Sequence, residues 1–143
     1  MQSYPIEPAD LELIQEAKEI IRQRYRADHH HVGAAVRSRS GQVYTGVHIE
    51  ANVSRVTVCG EAVAIGAAIS QGAGELEVIA AVRRDDSDPT VFYVVSPCGV
   101  CREMINDTMP DGFCLCVEDG ALVKVRAADL LPGKYVREAL VRI

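Results

Sequence analysis

The sequence predicts an α/β protein with three α/β/α layers around a mixed central sheet of about five strands. Segments with apolar residues at helical spacing alternate with short runs rich in Val and Ile, as in helices that cover a sheet. One run, Leu76 to Val82, is almost entirely apolar, which is typical of a strand buried on both faces. With 143 residues, of which 48% are hydrophobic, residues 1–143 are expected to form one domain.

The first part of the chain is predicted to form a helix followed by a hairpin. Ala9 to Arg26 places apolar side chains three and four residues apart, which indicates an amphipathic helix. Val32 to Arg37 and Gln42 to Ile49 are predicted strands, joined by a turn at Ser40-Gly41.

The rest of the chain is predicted to alternate between helices and strands. A helix of small and apolar residues begins at Gly60 and ends near Gly72, before the strand from Leu76 to Val82. The remaining predicted elements are a loop from Arg83 to Pro89, a strand from Val91 to Val95, a helix from Gly99 to about Thr108, a strand from Phe113 to Val117, a short pairing segment from Leu122 to Val125 and a short C-terminal helix.

Three cysteines predict a catalytic zinc site. Cys98 and Cys101 are three residues apart, so both sulfurs can reach one ion from a single helical turn. Cys59 comes from the predicted start of another helix. Catalytic zinc usually has three protein ligands and keeps a fourth position for water, and thiolates suit its chemical softness. Cys59, Cys98 and Cys101 are therefore the predicted zinc ligands.

Glu61 is the predicted proton carrier. A general base for hydrolysis must lie near the metal without binding it, and a position two residues past Cys59 meets that demand. A first-turn glutamate can also simply stabilise the helix dipole. Beside the three cysteines, catalysis is the preferred interpretation.

The charge of this site needs compensation. Three thiolates leave Zn²⁺ formally at about −1, which weakens its ability to acidify water. Each of the two helix starts that carry the ligands supplies a partial charge of about +0.5. These charges favour the thiolate form over the thiol. Arg102 lies four residues after Cys98 and is expected to donate a hydrogen bond to the Cys98 sulfur. The alternative interpretation is that Arg102 is an ordinary exposed arginine of the helix.

The chain resembles the cytidine deaminase superfamily, nearest to the small tetrameric cytidine deaminases and the blasticidin S deaminases. The resemblance implies a zinc-dependent hydrolytic deaminase of an aminopyrimidine nucleoside or nucleoside-like compound, such as cytidine, deoxycytidine or a blasticidin S-like cytosine nucleoside. It also implies a homotetramer whose active sites borrow residues from neighbouring chains. The similar segments are Val32-Gly33-Ala34-Ala35-Val36 in the first strand, 41–50 in the hairpin and sugar-binding segment, 96–102 in the second metal motif, and 129–132 with Tyr135 in a C-terminal Leu-Leu-Pro segment.

The resemblance assigns substrate binding to His48, Glu50, Gly60 and Ser96. Cytidine deaminases usually have Asn and Glu at positions 48 and 50, where they bind ribose hydroxyls; here Glu50 is kept and Asn is replaced by His48. Imidazole cannot present a donor and an acceptor from one end group, so plain cytidine is expected to be a mediocre substrate. A second departure is Ala62, where tetrameric cytidine deaminases commonly carry Arg.

Three other kinds of protein are alternatives to a deaminase of a cytosine nucleoside. In a structural zinc module, Cys114 or Cys116 would complete the ligand set and leave no place for water. A thiol redox protein would use the CxxC pair and need no distant Cys-x-Glu. A deaminase of another aminated heterocycle fits the same motifs. Cys114 and Cys116 themselves are expected to face opposite sides of the sheet as buried structural cysteines.

Composition limits the partners. A formal net charge of −5 disfavours nucleic acid as a partner. No apolar run approaches the ~20 residues that a membrane helix requires, so no membrane partner is expected. An odd count of five cysteines argues against a disulfide framework, and the expected location is cytoplasmic.

Overall fold

The computed structural model describes residues 1–142, and in this range it contains seven strands and three α-helices. The strands are β1 Ser3–Tyr4, β2 Val32–Ser38, β3 Val43–Val47, β4 Leu76–Arg84, β5 Phe92–Val95, β6 Phe113–Glu118 and β7 Ala121–Arg126. The helices are α1 Pro8–Arg24, α2 Gly60–Ser70 and α3 Gly99–Thr108, and two short 3₁₀ helices span Ser54–Val56 and Ala127–Leu130.

All seven strands belong to one mixed sheet. The order is β1-β7-β6-β4-β2-β3, and β5 pairs with β4 beside β6. The β4–β6 pair is parallel and the other pairs are antiparallel. The mixed sheet is as predicted. It has two strands more than expected, because β7 forms a full pair with β6 and β1 adds a two-residue edge.

Helices cover both faces of the sheet, so the three-layer prediction is confirmed. Alternate residues of β4 show the division, since successive side chains of a strand point to opposite faces. Val78, Ala80 and Val82 pack in the cluster that contains the apolar stripe of α1. Ile79 and Ala81 pack in the second cluster, with residues of α2 and α3. Both helices that carry predicted metal ligands therefore lie on the same face.

Gly46 explains how closely α2 approaches the sheet. A Cβ atom added at Gly46 would lie 2.6 Å from the backbone nitrogen of Ala64, nearer than real Cβ contacts come. The missing side chain thus lets α2 rest directly on β3.

Two boundary predictions in the second half of the chain were wrong. The predicted loop from Arg83 begins later, because β4 continues to Arg84 and pairs there with Phe92 of β5. The predicted C-terminal helix is a single 3₁₀ turn, Ala127–Leu130, and no helix follows it in the described part of the chain.

The prediction for Cys114 and Cys116 was also wrong. Residues two apart in a strand point to the same face, not to opposite faces. Both side chains are buried in the cluster with α2 and α3, whereas Leu115 between them packs toward α1. Both are buried cysteines, as expected.

A buried ion cluster joins α1 to the sheet. The Asp10 side chain is 0% exposed. Its carboxylate accepts hydrogen bonds from Lys124 Nζ at 2.8 Å, Arg37 Nη2 at 3.1 Å and the Glu7 backbone N–H at 3.0 Å. Burial by itself raises the pKa of Asp10, but these donors outweigh it, and the pKa lies below its ordinary value of 3.8.

We expect Asp10→Asn to lower the free energy of unfolding at pH 7 by about 2 kcal/mol, because Lys124 and Arg37 lose their buried carboxylate partner and keep only the more exposed Glu7 and Glu77. The folded-state pKa of Asp10 is depressed, so its contribution is complete above pH 3.8 and is lost as the pH falls through the folded-state value. The difference between wild type and variant should therefore shrink below pH 3.8 in urea titrations. The exposed Glu12→Gln, on the same helix, should change stability by no more than about 0.5 kcal/mol. Equal stability of Asp10→Asn and wild type at pH 7 would contradict this expectation.

Candidate metal and substrate site

The three predicted ligands come together at the starts of two helices. Cys59 is the N-cap residue of α2, Cys98 is the N-cap residue of α3, and Cys101 lies in the first turn of α3. Their sulfur atoms all lie within 4.8 Å of one another, and the Cys59 and Cys98 sulfurs are 3.5 Å apart. Two sulfurs at about 2.3 Å from a tetrahedral zinc ion would be about 3.8 Å apart. The spacing and the donor set fit zinc.

The backbone around Gly60 explains why Cys59 reaches this place. A Cβ atom at Gly60 would lie 3.2 Å from the carbonyl oxygen of Val32 and 3.4 Å from the backbone nitrogen of His48. The start of α2 is therefore packed against the start of β2 and the end of the hairpin. Strand β5, which pairs with β4, leads directly into the 96–98 segment. This segment places Cys98 beside Cys59.

The three thiols differ in their electrostatic surroundings. Burial raises the pKa of Cys59 and also that of Cys101, where the charge of Glu61 adds to the effect. Burial would likewise raise the pKa of Cys98, but backbone N–H groups of Cys101 and Val100 donate to its sulfur, and its pKa is lowered. The helix start thus favours thiolate at Cys98, as expected, whereas at Cys59 burial and the neighbouring Cys98 give a net rise of the pKa. A bound cation would favour the thiolate form at all three positions.

The ligand set is not completed by a fourth cysteine. In residues 1–142, the group of neighbouring metal-binding atoms contains Cys59, Cys98 and Cys101 and excludes Cys114 and Cys116. A structural zinc site normally has four protein ligands, whereas a catalytic site has three. The arrangement therefore favours the catalytic alternative over the structural zinc module.

Glu61 lies in the first turn of α2 and is only 6% exposed. Burial raises the pKa of its carboxyl group, and the Cys101 side chain partly offsets this rise. Glu61 is not part of the group of neighbouring metal-binding atoms in the described chain. It is thus close to the ligands without being one of them, as a proton carrier must be.

A cavity of about 200 Å³ opens beside the cysteines and has a largely apolar wall. It is lined by Val32, His48, Thr57, Cys59, Gly60, Glu61, Val95, Ser96 and Cys98. Of the predicted substrate residues, His48, Gly60 and Ser96 line this cavity. Glu50 does not line it.

Glu50 is exposed and does not line the cavity, and the strand before it ends earlier than predicted. Strand β3 stops at Val47, and Ile49 then forms a bridge with Val58. The Glu50 carboxylate accepts a hydrogen bond from Thr57 Oγ1 at 3.2 Å. His48 and Glu50 thus lie beyond the end of the strand, but their side chains remain neighbours, with His48 Nε2 3.7 Å from Glu50 Oε2.

Ser96 and Arg102 make backbone contacts. The Ser96 hydroxyl donates to the Val117 carbonyl at 3.1 Å and accepts from the Val117 N–H at 3.0 Å, which ties the end of β5 to β6. Arg102 donates to the carbonyl oxygens of Pro97 at 3.0 Å and Leu130 at 3.2 Å. Its guanidinium thus holds the segment just before Cys98. The expected bond to the Cys98 sulfur is not among the hydrogen bonds of residues 1–142.

Sequence reasoning assigned no role in the site to three of the cavity residues. Val32 and Val95 supply its apolar wall, and Thr57 lies at its edge. Val and Thr in strands and loops carry no motif of their own, so only the folded chain shows that they belong to the site. The stacking of His31 on His48, with ring centroids 5.1 Å apart, joins residues 17 apart in the chain, which no local spacing rule relates.

Comparison with known proteins gives consistent matches. Residues 8–116 match the profile of the family described as the cytidine and deoxycytidylate deaminase zinc-binding region. The chain is 48% identical over 139 residues to blasticidin-S deaminase from Bacillus cereus, covering 96% of this chain and 99% of that protein. It is 35% identical over 113 residues to cytidine deaminase from Sporosarcina psychrophila, covering 76% of this chain and 77% of that protein.

The fold has a counterpart among solved structures. The crystal structure of cytidine deaminase from Burkholderia pseudomallei superposes with a TM-score of 0.71 at 27% sequence identity. The superposition covers 87% of this chain and 98% of that chain. None of the helices described in residues 1–142 has both the length and the apolar character that crossing a membrane requires.

Proposed function

Because the chain belongs to the family of the cytidine and deoxycytidylate deaminase zinc-binding region, we propose that it hydrolyses the exocyclic amino group of a cytosine nucleoside or nucleoside-like compound. The chain is a zinc-dependent hydrolytic deaminase. The observation that carries the proposal is the set of three sulfurs within 4.8 Å of one another, beside buried Glu61 and a small apolar cavity. The higher identity and coverage of the blasticidin-S deaminase favour a blasticidin S-like cytosine nucleoside as the preferred substrate.

Cys59, Cys98 and Cys101 would hold the zinc ion. When bound, zinc supplies a Lewis acid that lowers the pKa of a water molecule at its open position. Arg102 supports this ligand set indirectly, because its bond to the Pro97 carbonyl fixes the residue before Cys98.

Glu61 would move the protons of the reaction. Its carboxylate accepts a proton as the water oxygen attacks the amino-bearing ring carbon, and it then gives this proton to the adjacent ring nitrogen. As the carbon–nitrogen bond breaks, Glu61 transfers the remaining hydroxyl proton to the departing amine. The products are ammonia and the ring with a carbonyl in place of the amino group. Burial keeps the carboxyl group away from bulk water during these transfers.

The cavity wall would orient the ring. Val32 and Val95 offer apolar surfaces on which a flat heterocycle can pack, and Gly60 leaves room beside Glu61. The Ser96 hydroxyl is already engaged with Val117 in both directions, so Ser96 would contact substrate through its backbone. His48, at the other side of the cavity, would contact the group attached to the ring.

A screen for ammonia release tests the proposed function. The zinc-loaded protein is incubated with cytidine, deoxycytidine, free cytosine, adenosine and blasticidin S, and we expect release from cytosine nucleosides, with blasticidin S preferred. Turnover of cytidine or deoxycytidine would support a role in pyrimidine salvage. Release from adenosine alone, or from none of these compounds, would reject the proposal in favour of a deaminase of another heterocycle or a non-catalytic zinc protein.

We further propose that the protein is a cytoplasmic homotetramer. Several large apolar side chains are exposed near the cavity and on α2, among them Val53 at 64%, Val56 at 61% and Ile69 at 58%, and burial between subunits would remove them from water. The five cysteines are all free, in keeping with a reducing compartment. Light scattering on the purified protein tests the assembly, and a monomeric mass would contradict it. Cell fractionation tests the location.

A further inference from the structure

We propose that His48 is a specificity-determining residue that offers the substrate a fixed hydrogen-bond donor, its Nε2–H group, and no acceptor. This inference rests on the proposed function and identifies the chemistry that the site selects. The substrate group that meets His48 must accept a hydrogen bond and need not donate one.

The backbone fixes the tautomer of His48. The backbone N–H groups of His31 and Val32 both donate to His48 Nδ1, at 2.8 Å and 3.1 Å. A ring nitrogen that accepts hydrogen bonds cannot carry a proton, so Nδ1 is the unprotonated nitrogen. In the neutral ring the proton must then be on Nε2.

The ring is also held in place. His48 is only 9% exposed, and the His31 ring stacks on it with an interplanar angle of 22°. His30 Nδ1 lies 2.8 Å from the His48 carbonyl oxygen and anchors its backbone. A ring restrained in this way cannot flip to present Nδ1 to a ligand without losing both backbone hydrogen bonds.

The Nε2–H group is available to a ligand. Glu50 Oε2 lies 3.7 Å from Nε2, which is beyond hydrogen-bond distance. Glu50 is bound instead to Thr57 through its other carboxylate oxygen. His48 lines the cavity and its Nδ1 is occupied by the backbone, so Nε2–H is the ring donor left for a substrate.

The surroundings keep His48 neutral. Burial lowers its pKa, and the neighbouring His31 and His30 lower it further, while Glu50 acts in the opposite direction. The net pKa is below the ordinary value of 6.5, so the ring carries one proton at neutral pH. A neutral ring in this tautomer is a donor only, whereas an amide side chain would offer a donor and an acceptor together.

The consequence concerns the sugar or sugar-like group of the substrate. A hydroxyl, an ether and a carbonyl oxygen can all accept from Nε2–H, so the site should not distinguish a hydroxyl from an ether of similar size. It should reject a compound that has only carbon at that position, because Nε2–H would then be buried without a partner.

Nucleoside analogues test this inference with the zinc-loaded protein. Deamination of 2′-deoxycytidine and 3′-deoxycytidine, compared with cytidine, identifies the oxygen that meets His48. We expect its removal to lower kcat/KM by about tenfold, as for the loss of one neutral hydrogen bond. The O-methyl analogue at the same position should stay within about threefold of cytidine, because it keeps the acceptor and lacks only the proton.

Two variants separate this role from a structural one. In His48→Leu, removal of the same oxygen should cost less than about twofold, because the donor is already gone. His48→Gln restores an N–H donor and should recover part of the selectivity. An O-methyl analogue that is as poor as the deoxy analogue in wild type would show that the hydroxyl proton is needed, and it would overturn the inference. Equal losses in wild type and His48→Leu would also overturn it.

A readout that needs no turnover separates this inference from the proposed function. ¹⁵N NMR of histidine-labelled protein should show His48 protonated on Nε2 at neutral pH, and the Nε2–H signal should shift when cytidine or blasticidin S is added. A proton on Nδ1, or no shift with either bound compound, would overturn the inference even if ammonia is released. No ammonia release, with the expected tautomer and shift, would reject the proposed reaction and leave the donor role standing.

Discussion

Serine in place of Cys59, Cys98 or Cys101 is expected to abolish zinc binding and deamination together. The three sulfurs lie within 4.8 Å of one another, and no fourth cysteine of residues 1–142 belongs to the group. Each variant therefore leaves two thiolates, too few to hold zinc tightly, and serine is a poor replacement because its hydroxyl stays protonated. Elemental analysis should find about one zinc per chain in the wild type and little in each variant, and ammonia release should fall in parallel.

Cys116→Ala is the matched control for the cysteine variants. Cys116 is buried on the same face of the sheet but lies outside the ligand group, so this variant should keep its zinc and most of its activity. Full activity in freshly purified wild-type protein that contains no zinc would show that the cysteine cluster has another purpose. So would serine variants that retain one zinc per chain.

Glu61→Gln is expected to retain zinc and lose activity by about 10²–10⁴-fold, the usual contribution of general acid–base transfer. The amide keeps the size and burial of the side chain but cannot accept and return a proton. Glu61 is outside the ligand group, so the metal should remain. The loss should appear in kcat more than in KM, since proton transfer belongs to the chemical step.

Glu103→Gln provides the control for Glu61→Gln. Glu103 is an exposed acidic residue of α3 that pairs with Lys134, away from the cavity, and its replacement should leave deamination unchanged. Near-normal turnover by Glu61→Gln would mean that another group carries the protons. Loss of zinc from this variant would mean that Glu61 holds the metal site together instead.

The sequence alone determined the chemistry of the metal site. Cys98 and Cys101 were predicted as partners because the helical repeat fixes the relation between residues three apart, whatever surrounds them. The same local rule placed Cys59 and Glu61 at a helix start, and the structure has both at the start of α2. The layers of the fold were also predictable, since apolar residues at periods of two and 3.6 show which face of an element is buried.

Only the tertiary structure decided how the neighbouring side chains are used. Glu50 does not line the cavity and instead accepts a hydrogen bond from Thr57, and the Ser96 hydroxyl is occupied by the backbone of Val117 on β6. His48 acquires its tautomer from two backbone N–H groups, 16 and 17 residues earlier in the chain. These partners are distant in sequence, and no local spacing rule relates them. Helical spacing could therefore identify the ligands, whereas hydrogen bonds between distant segments determine what the site offers its substrate.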